Sequence, residues 1–344
     1  MSAQSGLLTG RAQGTGWYQA VRGYEQPSVR QAIWQIVNSF IPYLLLWILM
    51  IRLVQSGASY WITLVLSVVA AGFLIRIFIV FHDCGHNSFF ASRRANTILG
   101  YVAGVLTFTP YEAWRHSHAV HHSTMGNLDQ RGTGDVWLMT VDEYRSAPRL
   151  KQIVYRVFQA PFIMFGIGSG MVFLFVNRLP QRGLRRQDRR SVHLTNLALG
   201  VIVLVAGLTI GLRTYVLIQL PIILIAAATG VWLFYVHHQY EGVHLYRDDE
   251  WTPLKAALNS SSYYKLPAVL QWFTGNIGFH HIHHVRPRIP NYNLPRAFRT
   301  VPELRTVAPL SIPTSLKSLF LHLYDERQHQ LVSFRDLRLR RSGA

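Results

Sequence analysis

Histidine is the residue type in this sequence best placed to do chemistry in concert. Sixteen histidines occur in 344 residues, and twelve fall in four clusters. The first is His82-Asp83-Cys84-Gly85-His86, and the second is His116-Ser117-His118-Ala119-Val120-His121-His122. The third is the pair His237-His238, and the fourth is His280-His281-Ile282-His283-His284. On a helix, residues three and four apart share a face. His82 and His86 have that spacing, as do His118, His121 and His122, and again His280, His283 and His284. Each of these clusters can aim two or three imidazoles at one point, where neutral imidazole binds iron, zinc, copper or nickel. Chance gives an H-x-x-H-H pattern about 0.03 times in a chain of this composition; here it occurs twice. Nine candidate imidazoles exceed the six positions of one octahedral ion, so two ions with open positions fit better. A structural zinc site, closed by four ligands, fits less well. The isolated His193, His244, His322 and His329 read as ordinary surface or core residues.

The elements that must carry these clusters are apolar. Four stretches reach the length of about 20 residues that crosses a bilayer, roughly 33–51, 60–81, 194–212 and 215–236. Pro42 inside the first is tolerated as membrane helices tolerate proline. Only Gln55 to Ala58 separates the first two stretches, and little more than Arg213 and Thr214 the second two, so each pair reads as a hairpin. Arg52 and Arg213 are the basic residues of those connections, while most Lys and Arg lie before, between or after the hairpins. The positive-inside rule then puts both termini, the central segment and every histidine cluster on the cytosolic side. Ile98 to Pro110 is too short to span. Val154 to Val176 is long enough, but Pro161, Gly166, Gly168 and Gly170 interrupt it and an arginine-rich run follows; it is expected to be interfacial or re-entrant.

Composition agrees with one membrane-embedded unit. Half the residues are hydrophobic and 15% are charged, against about 25% in soluble proteins. The excess of 34 Lys+Arg over 16 Asp+Glu would suggest nucleic acid in a soluble chain. In a membrane protein it suits the anionic cytoplasmic leaflet, and no nucleic-acid partner is expected. Cys84 is the single cysteine, which excludes a disulfide, a cysteine zinc site and a cysteine-ligated cluster. Met1 to Gln31 lacks a signal-peptide pattern. The expected organisation is a cytosolic segment 1–31, a membrane unit 32–294 and a basic cytosolic tail 295–344. The expected fold is all-α: four spans in two hairpins under a cytosolic histidine-rich helical cap.

At the histidine boxes the sequence resembles the membrane fatty acid desaturases, within them the acyl-lipid desaturases of the Δ12/ω-6 type. The words "HDCGHNSFF" from His82, "GNLDQRGTGDVW" from Gly126, "SSYYKLP" from Ser261, "GNIGFHHIHH" from Gly275 and "RIPNYNL" from Arg288 carry the likeness. It spans about Phe81 to Leu294. The resemblance implies a non-haem di-iron centre that uses O₂ and two electrons to convert an acyl chain to a cis alkene. It implies iron ligands at His82, His86, His118, His121, His122, His280, His283 and His284, with a ninth at His238 rather than His237. His116 and His281 fall outside that pattern and are expected to support ligands or lie at the surface.

Around these ligands, Asp83 can orient an imidazole or simply face outward from its helix. Asn276 can do the same or cap a turn. Glu241, three residues after His238, can share its helical face or form a surface pair. Phe89, Phe90, Trp114 and Trp137 are candidates for an acyl tunnel, or for core and interface packing. Without a fused His-Pro-Gly-Gly haem stretch, a separate electron donor is implied, ferredoxin or cytochrome b5. Related hydroxylases and carotenoid ketolases share the boxes and form the alternative. Metal transport would want histidines or carboxylates inside the spans, where Arg76 is the one deep charge.

Overall fold

The computed structural model describes residues 16–342; residues 1–15 of the N-terminal segment lie outside them. The short α1 (Gly16–Arg22) precedes α2 (Val29–Gln55) and α3 (Tyr60–Gly85). Ser28 starts α2, its side chain accepting from the Gln31 N–H at 3.4 Å, as an N-cap should. Next come α4 (Arg93–Leu106) and α5 (Tyr111–Thr124), then α6 (Val141–Ser146), α7 (Arg149–Phe158) and α8 (Ser169–Leu174). The long α9 (Arg186–Thr209) and α10 (Leu212–His238) follow, and then α11 (Pro253–Asn259), α12 (Ala268–Phe273), α13 (His280–Val285) and α14 (Leu294–Thr300).

Four helices, α2, α3, α9 and α10, are long and apolar enough to cross a membrane. Burial separates them into two kinds. The most apolar windows of α3 and α10 are 56% and 39% buried, those of α2 and α9 only 17% and 22%. The inner pair α3 and α10 pack on each other. The outer pair present Trp34, Leu45, Leu197 and Leu208 outward, as a lipid-facing surface does. Arg76 is accommodated deep in α3 because its guanidinium lies 4.0 Å over the Trp272 ring, donates to the Trp272 carbonyl and reaches Asn38 at 3.3 Å.

Two sequence expectations shift. The break between α9 and α10 falls at Ile210–Gly211 rather than at Arg213–Thr214. Gly211 has φ +86°, a conformation glycine adopts without cost, and this outweighs the charge of Arg213 as a stop signal. The helix carrying the third apolar stretch begins at Arg186, eight residues before Leu194; Asp188 caps its first turn. The fold is mostly helical, as expected for an all-α class, with two small sheets added. Among the described residues β1 (Met139–Thr140), β4 (Leu323–Asp325) and β5 (Gln330–Val332) form one small sheet in the order β1-β4-β5. A second pairs β2 (Tyr263–Tyr264) with β3 (Pro309–Leu310). Residues beyond 294 therefore reach back to both flanks of the histidine clusters.

The apolar stretch 154–176 is not one straight helix. The segments Arg149–Phe158 and Phe162–Arg178 meet at a 69° bend, and Phe162–Gly168 is π-helical. Pro161 has no N–H to continue the α pattern, and the wide turn that follows absorbs the strain.

Candidate metal centre

Each histidine cluster sits at a helix end. His82 is in the last turn of α3 and His86 is its C-cap residue. His118, His121 and His122 lie on the second half of α5. His237 and His238 end α10, and α13 begins at His280. The nine imidazoles named from the sequence form two adjoining sets. His82, His86, His118, His122 and His283 make one, and His121, His238, His280 and His284 the other; within each set the ligand atoms lie within 4.8 Å of one another.

The partition corrects the expectation that each cluster aims at a single point. Pairs four apart (82/86, 118/122, 280/284) stay together, while the residue at i+3 crosses to the opposite set. Helical geometry explains this. At about 100° per residue, positions i+3 and i+4 fall on opposite sides of position i. Each set thus takes an i,i+4 pair from one of α5 and α13 and a crossing imidazole from the other.

The donor chemistry fits a metal in each set. His121 Nδ1 lies 2.6 Å from the Asp135 carboxylate, and His238 Nδ1 lies 3.2 Å from the Ser260 carbonyl. Both acceptors lack hydrogens, so both Nδ1 atoms are donors. In neutral rings the two Nε2 atoms then face each other with bare lone pairs at 3.2 Å, a repulsion that a cation between them removes. Other Nε2···Nε2 distances are 3.1 Å for His118–His122, 3.0 Å for His122–His283, 3.0 Å for His238–His280 and 3.1 Å for His280–His284. With metal–nitrogen bonds of about 2.1 Å, ligands at right angles lie about 3.0 Å apart and tetrahedral ligands about 3.4 Å. The separations suit imidazoles that share one ion. His86 Nε2 is buried without a protein partner. Burial, reinforced by neighbouring imidazoles, holds His118, His122, His280, His283 and His284 well below the ordinary histidine range, which keeps these rings neutral and able to ligate.

Supporting residues divide as follows. Asp83 is buried and meets His82 Nδ1 at 3.2 Å. Its other oxygen accepts the Asn291 backbone N–H at 2.7 Å and side-chain amide at 2.8 Å. Asn276, at φ +61°, hydrogen-bonds elsewhere: its Oδ1 accepts from the Gln271 amide at 3.1 Å and its Nδ2 donates to the Asn291 carbonyl at 3.2 Å. Glu241 does not orient His238. The helix ends at His238, so the three-residue spacing no longer means a shared face, and Glu241 pairs with Lys317 at 2.6 Å in solvent. His116 pairs with Asp188 at 2.9 Å. His281 is fully buried, faces the Leu304 carbonyl at 2.9 Å, and burial lowers its pKa to about 4. His237 stacks on His280 at 4.1 Å. His193 is exposed, and His244 and His329 stack on each other.

Asp135 escaped the sequence reading. Its signal lay in the word "GTGDVW": Gly134, at φ +79°, brings the loop so close that a Cβ would sit 3.0 Å from the Ser117 carbonyl and 3.1 Å from His121 Cβ. Only glycine lets Asp135 reach the ligand ring.

An apolar cavity of about 270 Å³ runs from the metal centre down between α3 and α10. His82, His118 and His280 form its head, and Leu74 and Ile223 lie at its foot. The eight residues from Leu74 to His82 correspond to about 12 Å of helix. Of the four expected tunnel aromatics, only Trp114 lines it, stacked on His118 at 4.3 Å. Phe89 and Phe90 pack on each other, Phe89 also against Tyr292, and Trp137 packs against Tyr155 and Phe158. Period and aromaticity alone did not reveal that α10, through Ala226, Ala227 and Gly230, supplies one wall.

Such a molecule is a membrane protein whose histidines can hold two metal ions at the head of an apolar cavity. The family model described as "Fatty acid desaturase" matches residues 58–312. A fatty acid desaturase of Bacillus subtilis is 47% identical over 92% of this chain and 90% of its own. An sn-1 acyl-lipid omega-3 desaturase (ferredoxin) of Nostoc is 28% identical over 74% and 72%. An sn-1 oleoyl-lipid 12-desaturase of Synechocystis is 26% identical over 66% and 64%. The chain belongs to the fatty acid desaturase family.

Proposed function

We propose that this protein is an acyl-lipid desaturase that uses O₂ and a bound iron pair to introduce a cis double bond. The observation that carries this reading is the junction of two imidazole sets with a single apolar cavity. The chemistry a bound di-iron pair would supply is activation of O₂ with two electrons and removal of two hydrogens from an unactivated chain.

The protein's own residues do the rest. In this reading His82, His86, His118, His122 and His283 hold one ion, and His121, His238, His280 and His284 the other. Asp135 and Asp83 keep Nδ1 of His121 and His82 protonated, so their Nε2 lone pairs point inward. The walls from α3, α8 and α10 exclude water and hold an acyl chain by burying its methylenes, each worth about 0.8 kcal/mol. The chain would arrive from the bilayer, with α2–α3 and α9–α10 as two hairpins and the histidine cap on the cytosolic side. Both termini would be cytosolic, and 32–294 would form the catalytic unit. Electrons would come from a separate carrier. Relatives named for ferredoxin favour that class over cytochrome b5, and an acidic carrier suits a chain of net charge +18.

The box words suggest a Δ12/ω-6-like bond, while relatives named for the 12 and omega-3 positions match to a similar degree. The test reads the position directly. Expression in a host of defined lipids, followed by fatty acid analysis, should give a new cis double bond. A hydroxylated or ketolated product would replace this reading with the oxygen-inserting alternative. His121→Ala or His283→Ala should abolish the product while the protein still inserts.

A further inference from the structure

A second cavity lies on the other side of His238. It measures about 60 Å³; Met125, Leu128, Val136, Leu138 and Leu245 give it apolar walls, into which Arg131, Asp135, Gln239 and His238 bring polar groups. Two of its polar side chains are incomplete. Gln239 is 4% exposed, and its Oε1 has no partner. Arg131 pairs with Glu143 through Nη2, yet its buried Nη1 has none. Orphaned buried polar atoms on residues lining one cavity call for water. The volume suffices for about two molecules at the ~30 Å³ each occupies in the liquid, and the Asp135 carboxylate offers a further partner. Residues 129–130 and 132–134 beside it are exposed, which gives the cavity an outer lip.

We propose that this cavity is a water chamber through which the metal centre exchanges water with the cytosolic side, separated from the acyl cavity by the ring of Phe234. Phe234 is common to both cavities. Its centroid lies 5.1 Å from the His121 ring and 5.3 Å from the His238 ring. One phenyl group therefore stands between the cavity that holds Arg131, Asp135 and Gln239 and the acyl cavity, beside the four-histidine set. The use of the chamber rests on the desaturase reading. In that reaction two C–H bonds break and one C=C bond forms. O₂ is reduced to two waters, with two electrons from the one-electron carrier and two protons completing the balance. Product water needs an exit that does not wet the acyl chain, and this chamber adjoins the metal ligands without crossing the apolar wall.

The test needs neither metal nor turnover. Full-length, metal-free protein in detergent is exposed to hydroxyl radicals made by X-ray radiolysis of water, and methionine oxidation is mapped by mass spectrometry. Met125 is 4% exposed, as deeply buried as Met164 at 5%, and Met50 is at 0%. Bound water beside Met125 should make it oxidise several-fold faster than Met50 and Met164. Gln239→Leu should lower Met125 oxidation toward theirs, and Phe234→Ala should extend labelling to Trp114 in the acyl cavity. Met125 as protected as Met50 in the wild-type protein would overturn the chamber, whatever the enzyme does. Labelled Met125 in a protein that makes no double bond would keep the chamber and overturn the function it serves.

Discussion

In the proposed reading, replacing Asp135 with Ala isolates one ion of the pair. The carboxylate lies 2.6 Å from His121 Nδ1, a charge-assisted contact that fixes the tautomer of one of four ligands in its set. Removing such a supporting carboxylate costs roughly 10- to 100-fold in metal affinity, about 1.4 to 2.7 kcal/mol. The five-histidine set has no contact with Asp135 among the hydrogen bonds described, and its own carboxylate is Asp83. Titration of the metal-free protein with Fe(II) or Co(II), read as bound metal after equilibrium dialysis, should therefore become biphasic. One equivalent should bind as in the wild type and the second should weaken by that factor. Asp135→Asn, which keeps an acceptor without the charge, should fall between. Equal weakening of both equivalents, or none, would refute the assignment of Asp135 to the four-histidine set.

Gly230 lines the acyl cavity, and a Cβ there meets nothing within 4 Å. Gly230→Leu should shorten the space available, so fatty acid profiles should show shorter chains preferred or the double bond moved. Glu241→Ala breaks an exposed pair with Lys317, so it should change stability by less than about 1 kcal/mol and leave metal stoichiometry unchanged by elemental analysis. Burial, with Arg156 nearby, lowers His322 to about 4. Its folded pKa is depressed, so the unfolded chain takes up the proton first, and stability falls as pH drops from the ordinary histidine value toward 4. His322→Gln should flatten acid-induced unfolding in that window, followed by fluorescence.

Helical spacing made the histidines legible because ligands on one helix face must recur at three and four residues. The same spacing did not reveal which set each joins, since that depends on how α5 and α13 face each other. His238 could be chosen over His237 from its surrounding word, and the structure adds the reason: His238 faces the set while His237 stacks behind His280. Glu241 misled because periodicity was carried past a helix end. Asp135 was missed because its contact is made by a loop, where residue spacing carries no directional information. The aromatic search found Trp114 but missed the α10 wall, where Ala226, Ala227 and Gly230 make room.

The Tyr292 hydroxyl accepts from the Ser28 N–H at 3.0 Å and donates to the Phe89 carbonyl at 3.1 Å. It ties the entrance of α2 and the loop after His86 to a segment about 200 residues further along the chain. A ribosome delivers residues in order, so His82 to His122 emerge long before His280 to His284 can complete either imidazole set. In the proposed di-metal reading, metallation is then a late event in biogenesis, and a chain stalled before α13 completes neither imidazole set.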